Sequence, residues 1–218
     1  MGHAIRAVVF DLDGTLLDTL ADIARAMNTV LARRGFPEHP VDAYRAMVGS
    51  GLTKLAERAL PSGRDRLVAE CARELRDAYA RAPVVETRPY EGVGDLLEAL
   101  AARGYRLAVL SNKADELVRR IVPSFFADGT FAAVNGHVDG VPPKPDPTSA
   151  LELVGRLGVE PVQAVLLGDS DVDMKTALNA GLDPIGAAWG FRGADELHAA
   201  GARAVIDRPI DLLATIER

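Results

Sequence analysis

Five short runs dominated by aliphatic residues, AVVF at 7–10, RLAVL at 106–110, FAAV at 131–134, AVLL at 164–167 and ARAVI at 202–206, restrict the fold more than any other feature. A strand with one wet face alternates apolar and polar residues; these runs are apolar at successive positions, so both faces must be covered. Helical segments lie between them. GVGDLLEALAARG places Leu96, Leu97 and Leu100 on one face and meets Gly104 at its end. Covered strands separated by helices predict an α/β fold around a parallel sheet with right-handed crossovers.

One stretch breaks the alternation. From 19 to 83 only helical spacing recurs, with Leu20, Ile23, Met27 and Val30 on one stripe and Val68, Cys71, Leu75 and Tyr79 on another. The expected organisation is a core made of 1–18 and 84–218, with a helical insertion of 19–83 entered after the first strand. The chain would leave the insertion through a segment bearing Pro83 and Pro89.

Polar clusters follow three of the runs. VVFDLDGTLLDT carries Asp11 and Asp13, which share a side if the strand runs that far; LSNK carries Ser111 and Asn112; LLGDSDVDMKTA carries Asp169, Asp171 and Asp173. Open α/β sheets bind ligands beyond the carboxyl ends of their strands, so these clusters are expected to meet. Two carboxylates ~4 Å apart repel by about 4 kcal/mol at an effective dielectric near 20, so convergence calls for a cation or a shared proton. Oxygen ligands with no His or Cys nearby point to Mg²⁺. DSDVD also mimics the start of a calcium loop, but Met174 and Ala180 stand where such a loop needs Gly and Glu. Lys144, among Pro142, Pro143, Pro145 and Pro147, offers a fixed positive charge to a phosphoryl group. An aspartate is ionised at neutral pH and can attack phosphorus, while a second carboxyl group moves the protons.

In this order, DLDGTLLDT, LSNK, KPDP and GDSDVD resemble the four motifs of the haloacid dehalogenase-like hydrolase superfamily, in its phosphatase branch, and the likeness spans essentially the whole chain. The resemblance implies a Rossmann-like parallel-sheet core with an all-helical cap inserted after the first strand. By position it implies Asp11 as nucleophile and Asp13 as general acid/base. Ser111 and Lys144 would hold the phosphoryl group, assisted by Asn112 and the Gly14–Thr15 backbone. Mg²⁺ would sit on the Asp11 side chain, the Asp13 backbone carbonyl and Asp169, with Asp173 in support. Asp13 separates the phosphatases from dehalogenase and phosphonatase members, which lack it. MVGSGLTKLAERAL (47–60) and the tail from Ala187 are similar to phosphoglycolate phosphatases, so 2-phosphoglycolate is the expected substrate. Gly49, Ser50 and Gly51 are placed to receive a small carboxylate, and Lys54 to reach one.

Two alternatives stand beside this. β-Phosphoglucomutase-like mutases usually carry acidic and histidine residues where this chain has Ala21 and Ile23. A phospho-receiver domain shares the acidic cluster and lysine, but the length, the insertion and Asp13 weigh against it. The net charge of -6 gives no support to nucleic-acid binding, which leaves a small phosphorylated metabolite as the expected partner. Cys71 is the single cysteine, no run reaches the ~20 apolar residues of a membrane span, and no signal segment precedes the first strand, so a cytoplasmic location is expected. His3, His39, His137 and His198 lack ligand spacing and receive no role; Cys71 and Trp189 are expected to pack.

Overall fold

The computed structural model describes residues 4–217, so His3 lies outside the described residues. In chain order the strands are β1 (Ala7–Phe10), β2 (Leu17–Asp18), β3 (Arg88–Pro89), β4 (Arg106–Ala114), β5 (Ala133–His137), β6 (Ala164–Gly168), β7 (Asp183–Ala187) and β8 (Ala204–Ile206). The helices are α1 (Leu20–Arg33), α2 (Leu52–Ala59), α3 (Val68–Arg81), α4 (Val93–Ala102), α5 (Asp115–Ile121), α6 (Thr148–Arg156), α7 (Asp171–Ala180), α8 (Ala194–Ala199) and α9 (Asp211–Ile216). Six strands form one sheet in the order β5-β4-β1-β6-β7-β8, with every neighbouring pair parallel. This is the expected α/β architecture. Strand β5 begins two residues later than the run at 131–134 suggests, and β7 (DPIGA) has no counterpart among the anticipated strands.

Side chains alternate across the sheet and so divide the core in two. Val8, Phe10, Leu107, Val109, Val165 and Leu167 belong to one apolar cluster, which also takes in the inward stripes of α1 and α3. Ala7, Val9, Ala108, Leu110, Ala164 and Leu166 belong to the other, against Leu153 and Val154 of α6 and Ala177 and Ala180 of α7. With both faces covered, the strands have no wet side. That is why they read as continuous apolar runs.

Helices α1 to α3 lie between β2 and β3, which pair antiparallel through Leu17↔Pro89 and Asp18↔Arg88. Close by, Asp22 ties the two crossings together. Its buried carboxylate accepts hydrogen bonds from the backbone N–H groups of Val85 (3.0 Å), Glu86 (3.0 Å) and Thr87 (2.9 Å), from Thr87 Oγ1 (2.7 Å) and from the Arg25 guanidinium (2.7 Å). Burial alone would raise its pKa, but the donors of Arg25 and Thr87 outweigh it and hold the carboxyl below its ordinary value of 3.8. A depressed pKa means the ionised form stabilises the fold above that value, and this contribution is lost as pH falls. Asp22→Asn sets an amide N–H₂ against those donors and is expected to destabilise by about 3 kcal/mol at pH 7. Urea titrations of both proteins should show the gap closing towards pH 3; a gap that persists there would remove the charge from the explanation.

Among the described residues no helix is long and apolar enough to cross a membrane.

Candidate active site

Strand β1 is parallel to β4 on one side and β6 on the other, so the chain leaving all three arrives at one end of the sheet. Asp11 follows β1 directly, its N–H donating to Leu167 O at 2.9 Å. Asp169 follows β6, and Asp173 lies in the first turn of α7. These three buried carboxylates each offer an oxygen within 4.8 Å of the others. Lys144, in the loop between β5 and α6, brings the opposite charge. Its Nζ donates to Asp11 Oδ1 (2.8 Å), Asp173 Oδ1 (2.6 Å) and Leu110 O (3.0 Å).

One ammonium does not balance three carboxylates. Burial, opposed by Lys144 and reinforced by the charge of Asp173, pushes the Asp11 carboxyl up to about 7. Burial followed by the charges of Asp173 and Asp11 also raises Asp169 well above the ordinary range. Lys144 stays charged because Asp11 and Asp173 more than offset its own burial. An all-oxygen, anionic and under-neutralised donor set fits a divalent cation.

Two glycines make room for this cluster. Gly14 has φ +92, and a side chain there would overlap the Asp169 carboxylate; one at Gly190 would overlap Asp169 and Gly14 O. Asp169 Oδ2 is further held by the N–H of Phe191 at 2.7 Å. Asp173 Oδ2 accepts from the Ser170 N–H (3.1 Å) and hydroxyl (2.6 Å), so Ser170 and Asp173 together cap α7. Asp171 stands outside the cluster and pairs with Lys175.

Asp13 behaves differently from its neighbour. Regular β1 pairing ends at Phe10, and an isolated bridge joins Asp13 to Leu17, so the Asp13 side chain does not join the three-carboxylate group. It accepts instead from Thr19 Oγ1 (2.7 Å) and, through both oxygens, from Lys113 Nζ (2.6 and 2.8 Å). Lys113 lies in β4, buried, with its ammonium 4.5 Å from the ring centroid of Tyr79 on α3. Burial works against its charge, but Asp13 prevails and raises its pKa. LSNK contains this lysine, one residue beyond the two that its sequence pattern singles out.

Ser111, Asn112 and Lys113 lie within β4, which runs on to Ala114 rather than ending before them. Ser111 Oγ accepts from the Lys113 N–H at 3.2 Å. Asn112 uses both ends of its amide on protein: Oδ1 accepts from the Lys144 N–H (2.8 Å), and Nδ2 donates to Lys144 O (3.0 Å) and Gly49 O (3.1 Å). It thereby fixes the lysine loop and touches the helical insertion. Thr15 is fully buried with its hydroxyl unpartnered among the described residues, while its carbonyl accepts from Trp189 Nε1 at 3.0 Å. Trp189 thus does more than pack: it holds the loop that carries Gly14 and Thr15.

A pocket of about 40 Å³ opens beside Asp11 and Asp13. Ser111, Asn112 and Lys113 continue its wall on the sheet side, and Ile23, Val48, Gly49, Gly51, Leu52 and Leu55 close it from the insertion. Lys54 is not part of this wall; it is exposed and paired with Glu57.

A family model described as haloacid dehalogenase-like hydrolase matches residues 8–187. Phosphoglycolate phosphatase of Aquifex aeolicus is 35% identical over 209 residues, covering 96% of this chain and 95% of its own. That of Rhodospirillum rubrum is 36% identical over 211 residues, covering 93% and 87%. Among solved structures, a protein of Lactobacillus delbrueckii subsp. bulgaricus assigned as a phosphoglycolate phosphatase superposes with a TM-score of 0.92 at 30% identity, covering 98% of this chain and 99% of that one.

Proposed function

The chain belongs to the haloacid dehalogenase-like hydrolases and is a phosphatase, and from that premise we propose that it is a Mg²⁺-dependent hydrolase of a small phosphate monoester, 2-phosphoglycolate first among them. The observation that carries the chemistry is the single buried group of Asp11, Asp169, Asp173 and Lys144 beside a small pocket. The relatives named above support the substrate.

In this mechanism an Asp11 oxygen attacks phosphorus, and the bond from phosphorus to the alcohol oxygen breaks. Asp13 gives a proton to that oxygen, and the alcohol leaves. Asp13 then takes a proton from water as the water oxygen attacks the phosphorus of the acyl phosphate, which returns the Asp11 carboxylate and releases inorganic phosphate. Lys144 and the Ser111 hydroxyl bind the phosphoryl oxygens, with the Gly14–Thr15 backbone beside them. Asn112 serves by fixing the Lys144 loop. Asp11, Asp169 and the Asp13 backbone carbonyl would hold Mg²⁺, with Asp173 in support. The ion supplies positive charge to the transferring phosphoryl group.

Residues 19–83 act in this reading as a helical cap on a core of 1–18 and 84–218, and its closure excludes water during the first transfer. The cytoplasm suits a chain with one free, buried cysteine. A phosphate-release assay over a panel of phosphorylated metabolites tests the proposal. Activity should be highest on 2-phosphoglycolate, fall to under about 1% after chelation, and return with Mg²⁺. Undiminished hydrolysis in chelator, or interconversion of sugar phosphates without phosphate release, would refute it.

A further inference from the structure

We propose, on the phosphatase reading above, that Lys113 is the residue that selects the substrate: its ammonium receives a carboxylate carried one carbon away from the ester oxygen. Among the described residues Lys113 is the one cationic side chain on the pocket wall. Its pairing with Asp13 takes two of the three ammonium donors, whereas the neighbouring cations of the insertion and its rim lie off this wall and are engaged elsewhere. Lys54 pairs with Glu57, Arg58 donates to Met47 O and Ser50 Oγ, and Arg192 donates to the carbonyls of Ala46 and Val48.

The position of Lys113 carries the chemistry. Its Nζ lies 2.6 and 2.8 Å from the two oxygens of Asp13, the group that must reach the leaving oxygen. A carboxylate joined to that oxygen through one methylene is therefore brought to the same ammonium. Across the pocket, Ile23, Val48, Leu52 and Leu55 offer an anion no donor side chain. Placing a carboxylate among them without a cation would be costly, so the lysine decides whether a charged leaving group is tolerated at all. The face of Tyr79, 4.5 Å away, aims the ammonium from behind without neutralising it. The expected substrate class is a phosphate ester of a small 2-hydroxy acid, in preference to a neutral alkyl phosphate of the same size.

Steady-state kinetics with Mg²⁺ present test this, using 2-phosphoglycolate and ethyl phosphate, which is close in shape but lacks the second charge. The wild type should prefer 2-phosphoglycolate in kcat/KM. Lys113→Met should lower that preference by about 10- to 100-fold, chiefly through KM for 2-phosphoglycolate, the worth of one hydrogen bond between charged groups. Any loss that acts through Asp13 is common to both esters and cancels in the ratio. Tyr79→Leu leaves the charge but removes its backing, and should shift the ratio in the same direction by a smaller factor; it carries the test if Lys113→Met does not fold. An unchanged ratio in folded Lys113→Met, or in Tyr79→Leu where that variant stands in, overturns the assignment of Lys113. A wild type that hydrolyses neither ester overturns the 2-phosphoglycolate reading on which the assignment of Lys113 rests.

Discussion

Asp11→Asn is expected to lower turnover by on the order of 10⁵-fold, the scale seen when an enzyme loses its covalent nucleophile, while the protein stays folded. The substitution keeps shape and volume but replaces a carboxylate with an amide that does not attack phosphorus. Stability should not suffer. In the absence of a bound cation, burial and the charge of Asp173 make the ionised Asp11 unfavourable, and Lys144 only partly compensates. The sign follows from the raised pKa. Between its ordinary value of 3.8 and about 7 the folded chain holds a proton that the unfolded chain releases, so stability falls as pH rises through that window. The amide in the variant has no such proton to lose. In chelator, thermal melts of the wild type should decline from pH 5 to pH 8 more steeply than those of Asp11→Asn, with Asp169 supplying the remaining slope. Phosphate release near the wild-type rate, in protein shown by mass spectrometry to be free of deamidation, would rule Asp11 out as nucleophile.

The sheet was legible because strands covered on both faces must be apolar at consecutive positions, and Ala164–Gly168 is buried at every residue. Strand β7 was not. Asp183, Pro184 and Gly186 read as a turn, yet four of its five residues are buried, and Gly186 is there because Leu197 and Val205 press on it. Strands β2 and β3, two residues each, carry no period to detect. The acidic cluster was legible for an electrostatic reason: carboxylates placed at the ends of neighbouring strands have to be reconciled by a cation. What spacing along the chain does not reveal is which way a side chain turns. Asp11 and Asp13, two apart, share a side only if the strand runs that far; the chain leaves regular pairing after Phe10, and the two carboxylates are held by different lysines. Lys113 and Asp22 owe their importance to partners 100 and 63 to 65 residues away, separations at which no local pattern exists. Lys54, by contrast, looked available from its place after a glycine loop, and points to Glu57.

Lys144→Met should be the most damaging single change to the metal-free fold. All three donors of this buried ammonium are used, on Asp11, Asp173 and Leu110 O, and methionine fills much of the same space with none of the charge. Three carboxylates within 4.8 Å of one another are then left without a protein cation. Removing one partner of a buried ion pair costs about 3–5 kcal/mol, and that loss is expected here in chelator at neutral pH. Two conditions should reduce it. Asp11 and Asp169 already hold protons more tightly in the folded chain than in the unfolded one, and without Lys144 they do so more strongly, so the deficit shrinks as pH is lowered. A divalent cation that binds the folded cluster also restores stability by mass action. Turnover should fall by at least about 10²–10³-fold even with the cation supplied, because the same ammonium is needed by the phosphoryl oxygens. Lys144→Arg is not expected to rescue either property: a guanidinium is wider than the space between Asp11 and Asp173, which a point charge fills. Melting curves of the three proteins, with and without Mg²⁺ at pH 5 and pH 8, separate these effects. A Lys144→Met protein as stable as the wild type in chelator at pH 8 would show that the carboxylates are balanced by something other than this lysine.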